Sequence, residues 1–182
     1  MAQQFTVRQA LRTATGDSHE RVDAAFSGFD LSDHTSYGRF LSAQAAAHIP
    51  VEAALEQSGI ASVLPDWPSR QRADLLRADL AALGLSPPAA GALPAFDTAA
   101  EMLGAVYVLE GSRLGGALLR RSVPADLPCS FLGAGDSAAW RRLLEVLDLQ
   151  VRDVGDIDRA TNGALRVFSL FEQSGKQFLK AE

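Results

Sequence analysis

The sequence predicts an all-α protein that forms a single domain over residues 1–182. Three observations favour this fold class. Hydrophobic residues make up 47% of the chain, and the most frequent of them, Ala and Leu, are strong helix formers. Apolar residues recur at spacings of three and four in long segments that Gly and Pro clusters separate, which is the pattern of amphipathic helices. We find no sustained two-residue alternation between hairpin turns, the pattern of strands.

Six helices are expected. Four of them are predicted over residues 7–26, 68–83, 137–154 and 157–180. The second helix is predicted from a cap at Ser32 or Asp33 to about residue 57. The fourth is predicted from a cap at Asp97 or Thr98 to about residue 122. Ser, Thr and Asp mark helix starts because their side chains accept a hydrogen bond from amides of the first turn. Pro50 is expected to kink or interrupt the second helix. The Pro-rich segments 85–96 and 123–135 are expected to be connections within one domain.

Composition excludes several classes of function. The net charge is −5 and the 17 basic residues are spread along the chain, so we expect no nucleic-acid partner. Cys129 is the single cysteine, which rules out an intrachain disulfide and agrees with a reducing compartment. Residues 1–6 lack the apolar core of a secretion signal, and the longest apolar stretch, 99–119, carries three charged residues. We therefore expect a cytoplasmic protein without a membrane span.

The first predicted helix carries His19 on the face expected to be buried, so its side chain should point inward or into a cleft. A neutral imidazole is a good ligand for iron. Asp23 follows one turn later, where a carboxylate would accept the other ring N–H and fix the tautomer. Arg12 precedes His19 on the same face by about 10 Å along the axis. The alternative is an ordinary histidine, as we expect for His34, which should be exposed, and for His48, which should be structural.

The fourth predicted helix contains three glycines within six residues, Gly111, Gly115 and Gly116. Glycine in a helix interior costs about 1 kcal/mol relative to Ala, so their presence requires an offset. Gly111 and Gly115 are one turn apart and form a bare stripe. Either another helix packs closely there, or a flat ligand approaches where no Cβ can be accommodated. The sequence leaves both explanations open.

Together, two stretches resemble the heme oxygenase family. Residues 11–19, LRTATGDSH, are similar to the family's proximal helix, which ends in the histidine that ligates the heme iron. Residues 107–116, YVLEGSRLGG, are similar to its distal helix, in the branch found with bacterial phytochromes and in bacterial iron acquisition. The resemblance covers most of the chain. It implies an all-α fold in which heme is sandwiched between a proximal helix and a kinked distal helix.

The resemblance also implies roles for individual residues. His19 would be the axial ligand of the iron. Gly111, Ser112 and Gly115 would lie on the distal side, where O2 reacts. The other residues expected to contact heme are Asp23 beside His19, Arg12, Tyr107 and Arg141 near the propionates, Gly116 on the distal helix and Phe168 in the last helix.

The implied activity is oxidative cleavage of heme, at once substrate and cofactor, to biliverdin, CO and iron with O2 and electrons. No Gly-rich dinucleotide fingerprint follows a predicted strand, so an external donor is expected: a reductase, a ferredoxin or ascorbate. A bacteriophytochrome is an expected recipient of biliverdin. The sequence departs from the animal-type enzymes at Ser112, where those enzymes have an aspartate that organises water for proton delivery. A hydroxyl orients water but is a poor acid.

Two other functions remain open from the residues. A non-degrading heme carrier or sensor on the same fold would bind heme through His19 without opening the ring, and Ser112 favours this alternative. The second of these functions is that of a helical enzyme of related fold without iron, such as a thiaminase-like protein. The missing paired carboxylate and histidine ligands argue against a di-iron relative.

Overall fold

The computed structural model describes residues 6–89, 91–92, 94–133 and 135–180, in which eight α-helices follow one another and no residue forms a strand. The helices are α1 (Val7–Phe26), α2 (His34–Gln57), α3 (Trp67–Arg70), α4 (Ala73–Ala82), α5 (Ala99–Leu119), α6 (Ser130–Gly133), α7 (Ser137–Gln150) and α8 (Val154–Lys180). Single 3-10 turns occupy Ile60–Ser62 and Arg120–Ser122. The all-α prediction is confirmed, whereas a single domain over 1–182 stays a prediction.

Residues 1–5, on which the expected lack of a secretion signal rests, lie outside the described part of the chain. So do residues 90, 93 and 134 within the two predicted connections. No helix of the described ranges is long and apolar enough to cross a membrane.

The centre of the fold is the packing of α8 along α5, α1 and α2. Almost every residue of the first three turns of α5 is buried. Two glycines allow this helix to approach α8 very closely. A Cβ added to Gly104 would lie 1.9 Å from the carbonyl oxygen of Ala160, and one added to Gly163 would lie 2.1 Å from that of Glu101. The two helices therefore meet backbone to backbone.

Two hydrophobic clusters fill the interior. The larger one joins α1, α5, α7 and α8, with Leu11, Leu103, Leu147 and Val167 fully buried. The smaller one lies around α2, α4 and α6 and contains several aromatic rings. Because α5 and α8 carry the larger cluster, they fix the positions of α1 and α7 on the surface of the fold.

Helix caps follow the predicted chemistry at several starts. Asp33 accepts a hydrogen bond from the amide of Ser36, and Thr98 accepts one from the amide of Glu101. The structure thereby chooses Asp33 over Ser32 and Thr98 over Asp97. The predicted interruption at Pro50 is wrong because α2 continues through it. The kinks expected in α2 and in the glycine-rich helix stay predictions.

The predicted helix over residues 68–83 is wrong as a single element. It divides into α3 and α4 at Gln71, whose backbone is extended (φ −62°, ψ 139°). Tertiary hydrogen bonds explain the break, because the amides of Arg72 and Ala73 donate to the carboxylate of Glu52 in α2, at 2.7 and 3.0 Å. That carboxylate caps α4 from another helix, so the sequence around residues 68–83 could not predict it.

The chain also differs from prediction after α5. The segment 123–135 holds the short α6, whose first amides, of Ser130 and Phe131, donate to the carboxylate of Asp79 in α4. The helix expected over 137–154 ends at Gln150, and α8 starts at Val154, earlier than expected. Asp153 explains this start because its side chain accepts from the amide of Asp156 at 2.8 Å.

Candidate functional site

The structure places His19 on the exposed flank of α1, beside the buried stripe that contains Leu11, Thr15 and Ser18. The side chain of His19 is 64% exposed. The prediction that His19 lies on the buried face of α1 is wrong, because that face is the neighbouring stripe, and its placement in a cleft stays a prediction. Its Nδ1 lies 3.1 Å from Oδ2 of Asp23, as the one-turn spacing predicts. This contact engages Nδ1, so Nε2 is the ring nitrogen that could bind a metal.

The buried Phe168 of α8 packs against the ring of His19. The two rings meet edge to face, with centroids 6.0 Å apart. A ring held by a carboxylate on one side and by an aromatic edge beneath has a restricted orientation.

The glycines of α5 divide into two groups. A Cβ added to Gly111 or Gly115 would meet no neighbouring atom of the described chain within 4 Å. A Cβ on Gly116 would lie 3.2 Å from the carbonyl oxygen of Leu132 in α6. The structure therefore separates Gly116, which packs against protein, from Gly111 and Gly115, which face open space.

Two leucines share the bare face of α5. Leu114 and Leu118 lie at helical spacings from Gly111 and Gly115, and they are 41% and 67% exposed. Apolar side chains in this position leave a surface that favours a flat, apolar occupant. Tyr107, one turn before Gly111, belongs to the same face. We call this set, Tyr107, Gly111, Leu114, Gly115 and Leu118, the open face of α5.

Tyr107 brings the open face of α5 beside α1. Burial raises the pKa of Tyr107, while the positive charges of Arg8 and Arg12 act in the opposite direction. Both arginines belong to α1. Arg12 shares a face of α1 with His19. Both α1 and α5 pack on α8.

The aromatic ring of Trp140 in α7 packs against Tyr107, with the two ring centroids 5.4 Å apart. The next residue, Arg141, is exposed on α7. The predicted basic residues Arg12 and Arg141 therefore come from two different helices, α1 and α7.

Ser112 is tied to a buried arginine that the sequence analysis did not single out. The Ser112 hydroxyl donates to the carbonyl of Leu109 at 2.7 Å. Nη2 of Arg72 donates to that carbonyl at 2.8 Å and to the Ser112 hydroxyl at 3.0 Å. Arg72 lies over the ring of Phe131, and burial lowers its pKa to about 10. Ser112 is thus held by a positive charge beneath α5.

His48 is a buried structural histidine, as predicted. Its Nε2 lies 2.7 Å from Oε1 of Glu52, and burial lowers its pKa. Burial opposes ionisation of Glu52, but the hydrogen bonds from His48 and from the amides of Arg72 and Ala73 outweigh it and lower the pKa of Glu52. His34 is exposed at the start of α2, again as predicted.

A cavity of about 450 Å³ lies between α2 and α4, with Glu52 in its wall. Its lining residues belong to α2, α3, α4 and the break between the last two. Neither His19 nor Gly111 lines it.

Sequence reasoning singled out His19, Asp23, Tyr107 and the two open glycines from helical spacing and motif, and their roles stay predictions. It missed Leu114 and Leu118, although their spacing from the glycines was available. It also missed Arg72, because no local pattern distinguishes this residue from a surface arginine. Arg72 is directed inward by the break between α3 and α4.

Comparison with known proteins agrees with this architecture. No family model matches the chain. It is 29% identical over 175 residues to heme oxygenase PigA of Pseudomonas aeruginosa, covering 90% of this chain and 88% of that protein. It is 35% identical over 112 residues to a heme oxygenase of Xanthomonas campestris pv. campestris, covering 58% of this chain and 67% of that protein.

Two solved structures share the fold. The NO- and CO-bound heme oxygenase of Neisseria meningitidis superposes with a TM-score of 0.82 at 22% identity, over 97% of this chain and 94% of that one. The heme oxygenase of Leptospira interrogans gives a TM-score of 0.74 at 17% identity, over 94% and 99%. The structural likeness establishes the fold, and the sequence identity over two thirds of the Xanthomonas protein establishes kinship. The chain belongs to the heme oxygenase family.

Proposed function

We propose that this protein is a heme oxygenase, which cleaves heme to biliverdin, CO and iron with O2 and external electrons. Two observations support the proposal: the open face of α5 has room for a flat ligand, and His19 is exposed on α1, which packs on α8 as α5 does. When bound, heme supplies the iron that activates O2 and the ring that is opened. The protein supplies ligation, orientation and the local polar groups.

The residues of this region fit a heme group. A flat macrocycle needs an apolar surface without obstructing side chains, and Gly111 and Gly115 leave that space while Leu114 and Leu118 provide apolar contact. Leu114 and Leu118 lie in the largely exposed C-terminal turns of α5, and they would be covered when such a ligand binds. The gain is about 25 cal/mol per Å² of apolar surface removed from water.

On the α1 side, His19 would hold the iron through Nε2. Oδ2 of Asp23 lies 3.1 Å from Nδ1, where it would accept the Nδ1 proton, favour the tautomer with an unprotonated Nε2 and make the imidazole a stronger donor. Phe168 limits rotation of the ring. Neutral histidine ligation suits this chemistry, since a thiolate ligand favours cleavage of the O–O bond.

At the edge of the region, Arg12, Tyr107 and Arg141 would meet the two propionates. Guanidinium groups and a phenol donate hydrogen bonds to carboxylates. They come from α1, α5 and α7, so they would orient the ring within its plane.

On the α5 side, the Ser112 hydroxyl is the polar group next to the first open glycine, held by Arg72 at 3.0 Å. It would orient water without acting as the acid itself. Electrons would come from a reductase, a ferredoxin or ascorbate. A bacteriophytochrome as the recipient of biliverdin, and a cytoplasmic location, belong to the same proposal.

Hemin titration of the purified protein tests the proposal. We expect a Soret band at one heme per chain, followed by the spectrum of biliverdin and release of CO when ascorbate or a ferredoxin system is added in air. A stable heme complex that is never degraded would instead indicate a carrier or sensor. Absence of binding would exclude both.

A further inference from the structure

Glu110 of α5 lies buried between two arginines and immediately precedes Gly111 of the open face. Its side chain is 3% exposed. Oε2 lies 3.3 Å from Nη1 of Arg70, and Oε1 lies 3.5 Å from Nε of Arg113. Both arginine side chains are themselves buried. A carboxylate and two guanidinium groups thus share one site under α5.

Arg70 connects this site to other helices. Its Nε and Nη2 bind both carboxylate oxygens of Asp66 at 2.8 and 2.9 Å, and Nη2 also donates to the carbonyl of Ala139 in α7 at 3.0 Å. Arg142 of α7 reaches the same Asp66 at 3.2 Å. The carboxylate of Glu110 therefore joins α5 to α3 and, through Arg70, to α7.

Arg113 closes the arrangement. Its Nη2 donates to the backbone carbonyl of Arg70, so α5 and α3 are linked both through side chains and through the main chain. Two residues after Arg70, the Arg72 side chain donates a hydrogen bond to the carbonyl of Leu109. The segment 66–73 consequently holds α5 at residues 109–113, the turn that contains Gly111.

Stability alone does not explain a buried carboxylate here. Burial raises the pKa of Glu110, against the pull of Arg113, Arg70 and Arg72, so the charged form is held at some cost. Replacing a buried ion pair by apolar residues of similar volume is often neutral or stabilising. The ion pairs of Glu110 with Arg70 and Arg113, together with the hydrogen bonds that Arg72 and Arg113 donate to backbone carbonyls, instead define where this turn of α5 lies.

We propose that Glu110 is a positioning residue of the heme site: by binding Arg70 and Arg113 it fixes the position of Gly111 at the open face of α5. This inference rests on the proposed function, because position matters there only if heme occupies the region. Glycine removes the side chain that would otherwise restrict the backbone, so a glycine-containing wall needs restraint from behind. Glu110 provides that restraint from the face that points into the protein.

Hydrogen–deuterium exchange on the heme-free protein tests the restraint itself, with Glu110→Gln compared to Glu101→Gln. Glu101 is the matched control because it is a buried carboxylate of the same helix, bound to Arg166 of α8 at 2.7 Å and remote from the open face. We expect exchange of the amides of residues 110–116 to rise about tenfold in Glu110→Gln and to stay within about twofold of wild type in Glu101→Gln. Equal exchange at 110–116 in Glu110→Gln and wild type would overturn the proposal.

Hemin binding and turnover then test the consequence. In Glu110→Gln we expect the dissociation constant for hemin to change by less than about threefold, while the rate of heme degradation falls about tenfold. Glu101→Gln should change neither. An equal loss in both variants would show a general effect on stability and overturn the proposal.

Arg113→Lys serves if Glu110→Gln does not fold, since it keeps the charge and loses the bond to the Arg70 carbonyl. It should give the same pattern of exchange and turnover, and wild-type exchange at 110–116 would again count against the proposal. Should wild-type protein fail to bind hemin, the proposed function fails, while the exchange result still reports on the restraint.

Discussion

The carbonyl oxygen of Ala160 stands directly over Gly104, only 1.9 Å from where a Cβ would be. The relationship is reciprocal, because the carbonyl of Glu101 lies 2.1 Å from the Cβ position of Gly163. These two glycines serve helix packing, whereas Gly111 and Gly115 on the same helix face open space. The same helix thus packs closely on α8 at Gly104 and leaves open space at Gly111 and Gly115.

Gly104→Ala should therefore destabilise the protein strongly. The added Cβ meets backbone atoms that cannot rotate away, so α5 and α8 must separate, and we expect a loss of about 3 kcal/mol or more in the free energy of unfolding. Urea denaturation followed by circular dichroism measures it. Gly115→Ala is the control and should unfold at equal or higher urea concentration. A Gly104→Ala variant as stable as wild type would contradict the close crossing.

Gly111→Ala should stabilise the heme-free protein and impair the heme site. Removing a helix-interior glycine in open space gains about 0.5–1 kcal/mol. The new methyl group projects from the open face of α5, so the rate of heme degradation should fall about tenfold or more. Thermal unfolding and a biliverdin assay give the two readouts. Unchanged degradation would show that heme does not approach this face.

His19→Ala should remove the axial ligand without harming the fold. The side chain is largely exposed, so the free energy of unfolding should change by about 0.5 kcal/mol or less. The ferric spectrum of a histidine-ligated heme should be lost, and added imidazole should restore it. Asp23→Asn should weaken hemin binding about tenfold through the same ring.

His34→Ala is the matched control for the ligand, because His34 is also an exposed helix residue. It should bind hemin as wild type does. A normal spectrum in His19→Ala would assign the iron to another ligand.

The buried pair His48 and Glu52 should make stability fall with acidification. Burial lowers the pKa of His48 below its ordinary 6.5. Below about pH 6.5, His48 is therefore protonated in the unfolded chain but stays neutral in the folded chain. The free energy of unfolding then decreases as pH falls through this range. Glu52, whose pKa is also lowered in the folded state, adds a further loss below its ordinary 4.5.

Urea denaturation at pH 7, 6 and 5 measures this dependence. His48→Gln should lose less stability than wild type between pH 7 and 5, although it is less stable at pH 7. His34→Gln, at an exposed site, should follow the wild-type profile. Parallel profiles for wild type and His48→Gln would show that His48 does not carry the effect.

The sequence by itself determined the helical class, most helix bounds and the iron-binding candidate. Val7–Phe26 is predicted to the residue, and Thr98 marks the start of α5, because caps and apolar spacing act within a few residues of the chain. His19 with Asp23 follows for the same reason, since one helical turn brings residues four apart together.

Only the tertiary structure decided how the buried polar groups are used. Arg72 reaches Ser112, and Glu110 lies between Arg70 and Arg113, because the Glu52 carboxylate breaks a predicted helix at Gln71 and turns its arginines inward. The division of the glycines into packing and open positions depends likewise on the carbonyls of Ala160 and Glu101. Hydrogen bonds and close contacts between distant segments produce no periodic pattern in the sequence. They could therefore be identified only from the packed arrangement of the helices.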